Sequence, residues 1–323
     1  MLQTPVCDLL GISVPIISAP FGPWDSVDLA AAVCEAGGIG SLGTATRTAD
    51  ELREQWRRLR ALTARPFIVN HTGRPFSPEA FDATLTERSK AISFHMGVPA
   101  ELVRRAHDHG ILWLQTVGDL ESAEQALEAG ADALIAQGGE AGGNSGWVAT
   151  TVLVPAVVDL AGDVPVIASG GIADGRGIAA AIALGAQGVQ LGTRFLATPE
   201  MRIDESWKQR IVAEGALSAV KVENAERVMP PFNLPQIGPK AAPRALETDF
   251  IRQLRDAPES FDPREVGPMI VAAVRAGGGH DLMPFTGQSV ELVRDIVPAG
   301  ELVRRLVREA EDALRAAQGA IRA

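Results

Sequence analysis

The chain contains only two cysteines, Cys7 and Cys34, among its 323 residues. Two cysteines are too few for a disulfide framework and are typical of a protein from a reducing compartment. Cys34 lies in an alanine-rich run, where we expect a small buried thiol rather than a reactive one. Neither cysteine has a partner at metal-ligand spacing, so no metal site is predicted.

Long apolar segments and an excess of basic residues are also missing. No run of 18 or more apolar residues exists, so no membrane-spanning helix is predicted. The N-terminus lacks a charged region followed by an apolar stretch, which argues against a signal peptide, and we expect a cytoplasmic protein. The formal net charge of −10 leaves no dominant basic face, so neither nucleic acid nor a membrane is an expected partner.

Short apolar runs typical of strands alternate with longer amphipathic runs typical of helices over about the first 200 residues. The eight predicted strands are 15–19, 39–42, 66–70, 91–95, 111–116, 133–137, 165–169 and 188–192. Their nearly continuous apolar character is typical of parallel strands covered on both faces by helices. Eight such units predict a closed (β/α)8 TIM barrel. The alternative, an open doubly wound sheet, is weakened because no Gly-x-Gly-x-x-Gly turn follows an early strand.

The periodicity changes after the eighth predicted strand. We predict that residues 201–275 form a helical and loop insertion that caps the barrel mouth, and that 1–200 and 276–323 form the barrel. Within the insertion, helices are expected over 200–216 and 246–256, and the barrel is expected to close with a helix over 290–317. The thin apolar content of the insertion argues against an independently folded second domain.

A glycine-rich loop, residues 137–146, follows the sixth predicted strand and contains five glycines in ten residues. Each glycine costs backbone entropy and buries little surface, so we interpret all five as positions where backbone passes close to a ligand rather than as packing positions. In a barrel the ligand lies at the C-terminal ends of the strands, which is where this loop begins.

Two further glycine-bearing loops follow the seventh and eighth predicted strands. Ser169, Gly170 and Gly171 end one strand, and Gly192 and Thr193 end the next. Barrels commonly bind a phosphate here, on backbone amides and the N-terminus of a short helix. The alternative is that these glycines only terminate strands. We favour a phosphate group.

Nine short motifs in a fixed order carry a family resemblance. They are APFG, AGGIG, Asn70, SFHMG, QTV, QGGEAGG, ASGGI, LGTRF and MPFTGQ. Together they resemble the nitronate monooxygenases, formerly called 2-nitropropane dioxygenases, which are FMN-dependent (β/α)8 barrels related to flavin-dependent enoyl-acyl-carrier-protein reductases. The resemblance covers about residues 3–200 and 281–310 and weakens over 210–275.

The resemblance implies FMN as the cofactor. Pro20 and Phe21 would place backbone against the flavin ring, and Asn70 would hydrogen-bond to its edge. The other cofactor-binding residues that it implies are Gln115, Gln137, Gly142, Gly143, Ser169, Gly170, Gly171, Gly192, Thr193 and Gln288.

The sequence departs from the family at Asn144, where the family usually has a histidine that removes the α-proton of a neutral nitroalkane. An amide has no accessible pKa, so Asn144 cannot act as a base, although it can orient substrate oxygens. A nitronate is already deprotonated and needs no base. His71 and His95, at the ends of the third and fourth predicted strands, are further catalytic candidates, each with a hydrogen-bonded structural histidine as its alternative.

Three functions follow from these observations. The first is an FMN-dependent oxidoreductase of the nitronate monooxygenase type that oxidises small nitronates with O2. The second is an NAD(P)H-dependent flavin reductase acting on an enoyl thioester, a quinone or a natural-product intermediate. The third is a non-catalytic flavin-binding barrel. All three have a small-molecule partner, and both a monomer and a dimer remain open.

Overall fold

The computed structural model describes residues 2–22, 24–87, 89–229 and 242–321. Its strands are β1 (Ile16–Ser18), β2 (Gly40–Gly43), β3 (Phe67–Thr72), β4 (Ala91–His95), β5 (Leu112–Val117), β6 (Ala133–Gln137), β7 (Gly143–Ser145), β8 (Val166–Ser169), β9 (Gly188–Leu191), β10 (Ala219–Lys221) and β11 (Ala242–Leu246). Eight of them form one parallel sheet in the order β1-β9-β8-β6-β5-β4-β3-β2. A parallel bridge between Ile17 and Ile39 joins the two ends of that order. The fold is therefore a (β/α)8 TIM barrel, as predicted, and each barrel strand lies within two residues of its predicted bounds.

Helices lie between and around the strands. They are α1 (Pro5–Leu10), α2 (Val27–Glu35), α3 (Ala49–Leu62), α4 (Pro78–Glu87), α5 (Ala100–Asp108), α6 (Leu120–Glu128), α7 (Thr150–Ala161), α8 (Gly175–Ala183), α9 (Thr193–Leu196), α10 (Glu205–Ala213), α11 (Asp249–Asp256), α12 (Pro263–Arg275) and α13 (Ala299–Gly319). In the described part of the chain, no helix is long and apolar enough to cross a membrane.

The barrel interior is closed at its N-terminal end by α1. Val6 and Leu10 of this helix pack in one cluster with the inward-facing strand residues Ile17, Ile68 and Ile167. Bulky branched side chains fill the interior of such barrels, which makes it a packed core rather than a pore. The ligand site is therefore restricted to the other end.

The final helix begins later than predicted. Residues 288–292 form a short 3-10 helix, and α13 starts only after Pro298. A residue that precedes proline is sterically disfavoured in the α conformation, which separates the two segments. The predicted helix over 290–317 is therefore wrong in its first nine residues.

The segment between α9 and α13 has a small core of its own. It contains α10, β10, β11, α11 and α12, and its buried apolar cluster consists of Val222, Ala225, Val228, Ala245, Ile251, Leu254, Phe261, Ile270 and Met283. The predicted helix over 246–256 loses its first residues because Leu246 ends β11 and the Thr248 side chain caps α11. The division into a barrel and an insertion over 201–275 stays a prediction.

Candidate active site

A cavity of about 450 Å³ lies at the C-terminal ends of the barrel strands. This volume is within the range of about 300–1,000 Å³ that small-molecule sites occupy. The lining residues that the sequence predicted are Pro20, Phe21, Asn70, His95, Gln137, Gly142, Gly143, Asn144, Ser169, Gly170, Gly171, Gly192 and Thr193. The strand-end rule therefore brought most of the predicted site residues together.

Two strand-end turns present unpaired amide groups to the cavity. We call Ser169–Gly171 and Gly192–Thr193 the amide loops. Gly170 and Gly171 both have positive φ, 100° and 73°. The amides of Gly170, Gly171, Gly192 and Thr193 donate no hydrogen bond to another described residue. Several free N–H groups on adjacent loops are a suitable donor set for an anion such as a phosphate.

Helix α8, which follows the first amide loop, has its N-terminus satisfied by protein groups. The Asp174 carboxylate accepts from the amides of Arg176 and Gly177, and Glu309 accepts from the Gly175 amide at 3.1 Å. An anion at this end of the cavity would therefore be held by the loop amides and not by α8. The Thr193 hydroxyl is also engaged, since it accepts from the Gly287 amide at 2.8 Å.

Two glycines of the 137–146 loop are required for packing. A Cβ atom on Gly138 would lie 2.0 Å from Thr150 Oγ1, and one on Gly142 would lie 2.7 Å from the Gly287 amide nitrogen. The interpretation that none of the five glycines serves packing is therefore wrong for these two. Gly143 differs, because it has a φ of 66° and open space around its Cα. Nothing in the local sequence distinguished these cases.

Glu140, the acidic residue of this loop, caps a helix. Its carboxylate oxygens accept from the Thr150 amide at 3.1 and 3.0 Å and from the Thr150 hydroxyl at 2.9 Å. Thr150 is the first residue of α7, so the carboxylate satisfies a free N–H group at the positive end of the helix. Glu140 stabilises the loop and is not available for catalysis.

The strand that carries Asn144 is held by two cations. Lys221 Nζ donates to the carbonyls of Ser145 at 2.8 Å and Gly146 at 2.9 Å, and Arg244 donates from Nε and Nη2 to the Gly139 carbonyl at 3.1 and 3.0 Å. Burial, followed by the nearby charge of Arg244, lowers the pKa of Lys221 to about 8. No motif spacing linked these residues to the loop, and the sequence did not predict them.

Asn144 lies in β7, which is the edge strand of a three-stranded antiparallel sheet. Pro243 of β11 is its partner across the strands, and β10 completes the sheet. Its side chain lines the cavity, and Oδ1 is buried without a hydrogen-bond partner among the described residues. A buried carbonyl oxygen without a partner is costly, so a donor from a bound molecule is expected to satisfy it.

The two histidine candidates have different environments. His71 is 1% exposed, with Nε2 2.9 Å from the Thr84 hydroxyl and Nδ1 3.3 Å from the Thr44 hydroxyl, and it is not among the cavity-lining residues. Burial lowers its pKa to about 3. His95 lines the cavity, and burial lowers its pKa to about 4. At neutral pH His95 is therefore uncharged and a weak base.

Two of the predicted cofactor residues, Gln115 and Gln288, are absent from the described lining of the cavity. The Gln115 amide is used internally: Nε2 donates to the carbonyls of Phe94 and Gly97, and Oε1 accepts from Trp113 Nε1 at 3.0 Å. The backbone N–H of Gln288 donates to the Glu140 carbonyl at 2.9 Å. Their roles in cofactor binding stay predictions, and here both residues position loops.

Three residues on the barrel strands line the cavity but were not among the predicted site residues. Successive side chains on a strand alternate, so positions two apart share a face. Ser93 lies two residues before His95, Thr72 two after Asn70, and Gln190 two before Gly192. All line the cavity. The period-two pattern would have found them.

The segment between α9 and α13 supplies the other side of the cavity. We call these residues the outer wall: Val228, Met229, Pro263, Gly267, Pro268, Ile270, Val271 and Val274. Every member is apolar or glycine. Helix α12, which contributes six of them, was not predicted, since Gly267 and Pro268 interrupt its helical pattern. An apolar surface therefore faces the strand ends.

Comparison with known proteins identifies the family. A family model described as nitronate monooxygenase matches residues 3–79 and 77–309. The chain belongs to this family. The nitronate monooxygenase of Paraburkholderia phytofirmans is 35% identical, over 95% of this chain and 94% of that protein. Among solved structures, FabK of Thermotoga maritima superposes with a TM-score of 0.88 at 33% identity, covering 99% of this chain and 100% of that one. Nitroalkane oxidase of Streptomyces ansochromogenes gives a TM-score of 0.78 at 34% identity, with 96% and 99% covered.

Another similar protein is named for a different reaction. The (3aS,4S,5R,7aS)-5-hydroxy-7a-methyl-1-oxo-octahydro-1H-indene-4-carboxyl-CoA dehydrogenase of Rhodococcus jostii is 39% identical, over 66% of this chain. The matched region spans 61% of that protein's length, about three fifths. These relationships make the chain an enzyme, a flavin-dependent oxidoreductase of the nitronate monooxygenase family. They disfavour the alternative of a non-catalytic flavin-binding barrel.

The residues present fit a bound flavin. The amide loops offer unpaired N–H donors of the kind that bind a phosphate, and glycines there leave the backbone open to it. Asn144 Oδ1 provides a buried acceptor without a partner among the described residues. Ser169, Gly170, Gly171, Gly192 and Thr193 would hold the phosphate, and Pro20, Phe21, Asn70 and Gln137 would lie along the ring and its side chain.

Proposed function

We propose that this protein is an FMN-dependent oxidoreductase that oxidises nitronates with O2 as co-substrate. The observation that carries the proposal is that Asn144 lines the cavity. The family resemblance implies a histidine base at this position. An amide cannot accept a proton at any accessible pH. The reaction is therefore restricted to substrates that have already lost their α-proton.

His95 does not compensate for the missing base. Its pKa of about 4 means that it is a weak proton acceptor at neutral pH, even though it lines the cavity. Efficient general bases have a pKa near the working pH. His95 is better suited to hydrogen-bonding a substrate or flavin oxygen as a neutral imidazole.

Each part of the cavity has a separate role in the proposed reaction. FMN, when bound, supplies the capacity to take electrons from the substrate and deliver them to O2. The amide loops hold its phosphate, Asn144 orients the substrate oxygens from the β7 edge, and the outer wall excludes water. No side chain is required to move a proton from carbon in this proposal.

The test begins with the purified protein. We expect a yellow protein with an FMN spectrum that consumes O2 with propionate 3-nitronate and with alkyl nitronates, but not with the corresponding neutral nitroalkanes before they ionise. A colourless protein that rejects added FMN contradicts the cofactor assignment. Equal rates with freshly dissolved nitroalkane and preformed nitronate contradict the absence of a base.

A second candidate is an NAD(P)H-dependent reductase of an enoyl thioester. The observation that favours it is the apolar outer wall, which suits an acyl chain, together with the similarity to FabK and to a dehydrogenase named for a CoA thioester. Rapid anaerobic bleaching of the flavin by NADH or NADPH, followed by reoxidation with an enoyl thioester, supports this candidate. Flavin that stays oxidised under those conditions excludes it.

A further inference from the structure

The cavity contains one permanently charged side chain among its described lining residues, Arg74. No aspartate or glutamate is among them, and His95 is uncharged at neutral pH because burial lowers its pKa to about 4. The whole protein has a net charge of −10, so this local positive charge does not follow from composition. The described lining supplies no counter-charge for it.

The guanidinium of Arg74 makes no hydrogen bond or ion pair within the described ranges, and Nη1 is buried without a partner. Its backbone is nevertheless well anchored, since Thr72 Oγ1 donates to the Arg74 carbonyl at 3.0 Å and accepts from the Arg74 amide at 3.2 Å. A buried guanidinium nitrogen without an acceptor is unfavourable, and an anionic ligand would supply that acceptor. The arrangement is that of a prepared anion-binding group.

The flavin phosphate is on the other side of the barrel from Arg74 in this assignment. Arg74 follows β3, whereas the amide loops follow β8 and β9. In the closed order of eight strands, β3 is four strands from β8 in either direction. The amide loops and Arg74 therefore serve different anionic groups.

The side of the cavity that faces the strand ends is apolar. The outer wall presents Ile270, Val271 and Val274 from α12, and Met283 and Phe285 extend the same surface. Contact with such a surface stabilises aliphatic groups in proportion to the area removed from water. The cavity therefore combines a single permanently charged group with an apolar surface on its α12 side.

We propose that Arg74 is the specificity-determining residue that binds the substrate's anionic head group, while the substrate's apolar substituent lies against the outer wall. The substrate class is an alkyl nitronate with an extended hydrocarbon chain, an assignment that rests on the proposed function. A nitronate is a planar anion with two oxygens on one atom, which matches the two parallel N–H donors of a guanidinium. Arg74 thus selects the deprotonated substrate that Asn144 cannot generate.

The decisive experiment measures binding, separately from turnover. Alkyl carboxylates have the same planar two-oxygen head group and are not oxidised by this reaction. Propanoate, hexanoate and decanoate are titrated into the flavin-loaded protein by calorimetry, with hexanol as the uncharged probe. We expect affinity to rise by roughly three- to fourfold per methylene group, and hexanol to bind far more weakly than hexanoate.

Arg74→Gln is expected to weaken hexanoate binding by about 10- to 100-fold, since it removes a charge-assisted hydrogen-bonding pair. Arg74→Lys, which keeps the charge and loses the planar fork, should recover only part of the affinity. Arg104→Gln changes the net charge equally at an exposed surface position and should leave binding unchanged.

Three results overturn the inference. They are unchanged hexanoate affinity in Arg74→Gln, affinity independent of chain length, and weaker FMN binding in Arg74→Gln while the variant, saturated with excess FMN, binds hexanoate normally. The last result would assign Arg74 to the flavin. The proposed function is tested separately by O2 uptake of the wild type with nitronates. If the wild type consumes no O2 with nitronates, the proposed function is wrong, but the carboxylate titrations still show whether Arg74 binds an anionic head group.

Discussion

The amide loops and the outer wall lie on the same cavity but are built differently. The amide loops consist of residues next to each other in sequence, at the ends of β8 and β9, and they offer backbone N–H groups. The outer wall comes from α12 and from residues 228–229, and it offers apolar side chains. Backbone donors suit a group that all members of a family share, whereas side chains can vary with the substrate. Donation by the amide loops therefore depends on backbone geometry, whereas the outer wall depends on the identity of its side chains.

The β7 edge strand connects the two regions. Asn144 sits on a loop that begins at a barrel strand, yet its backbone pairs with β11 from the segment that follows α9. Lys221 and Arg244 fix the carbonyls on both sides of it. Asn144 is thus held in place by the segment that follows α9. Changes in that part can alter the reaction without changing cofactor binding.

The largest effect that separates the two regions is expected from Gly170→Val. Gly170 has a φ of 100°, and its Cβ would lie 3.1 Å from the Gly138 carbonyl oxygen. Strain of this kind costs on the order of 1–3 kcal/mol, so FMN should bind about 10- to 100-fold more weakly. FMN affinity is measured by fluorescence titration. Gly277→Val is the control, because Gly277 also has positive φ but open space around it. Normal FMN affinity in Gly170→Val would remove the amide loops from the cofactor site.

An intermediate effect is expected from Asn144→His, which should restore the base that the family usually has. Turnover of neutral nitroalkanes should rise by about 10- to 100-fold at pH values above the new histidine's pKa. Turnover of preformed nitronates and FMN affinity should change little. Initial O2 consumption with freshly dissolved nitroalkane, followed across pH, provides the measurement, and Asn144→Ala is the matched control. The absence of any gain would mean that position 144 is not aligned for proton abstraction.

The smallest effect concerns the support of β7 by Lys221. Lys221→Met removes four donated hydrogen bonds and should lower the melting temperature by a few degrees at pH 7. The folded-state pKa of Lys221 is about 8, below the usual lysine value of 10.5, so the unfolded chain binds more protons between these pH values. The free energy of unfolding of the wild type should therefore increase as the pH rises from about 8 to 10.5. Below pH 8 the amine is charged in both states, and its burial lowers the stability by the full amount.

This gain should disappear in Lys221→Met and persist in Lys90→Met, which removes a lysine elsewhere in the protein. Urea unfolding at pH 7, 8, 9 and 10 measures both effects. Parallel pH profiles for the wild type and Lys221→Met would show that Lys221 titrates normally and is not buried against the loop.

Local patterns were sufficient for the barrel and for most of its strand-end residues. Apolar runs such as 133–137 were correctly identified as buried strands, because a strand covered on both faces is a short and nearly continuous run of apolar residues. Strand ends in a barrel all face one side, so Asn70, His95, Gln137 and Ser169 could be placed at one cavity without any contact information.

Long-range contacts decided the rest. A side chain at Gly142 would collide with the backbone at Gly287, which lies 145 positions later in the sequence. His71 and His95 look alike as strand-end histidines, yet one is enclosed by Thr44 and Thr84 and the other lines the cavity. Burial and partner identity depend on which segments meet, and periodicity does not encode that.

The alternation of apolar and amphipathic runs was enough to predict the parallel barrel, and the order of motifs was enough to predict the family, because both depend on short segments of sequence. Only the tertiary structure brought α12 over the strand ends and paired β7 with β11. The tertiary structure also determined that Arg74 is the single permanently charged side chain among the described lining residues. Whether a charge is compensated depends on every group around it, and those groups come from distant parts of the chain.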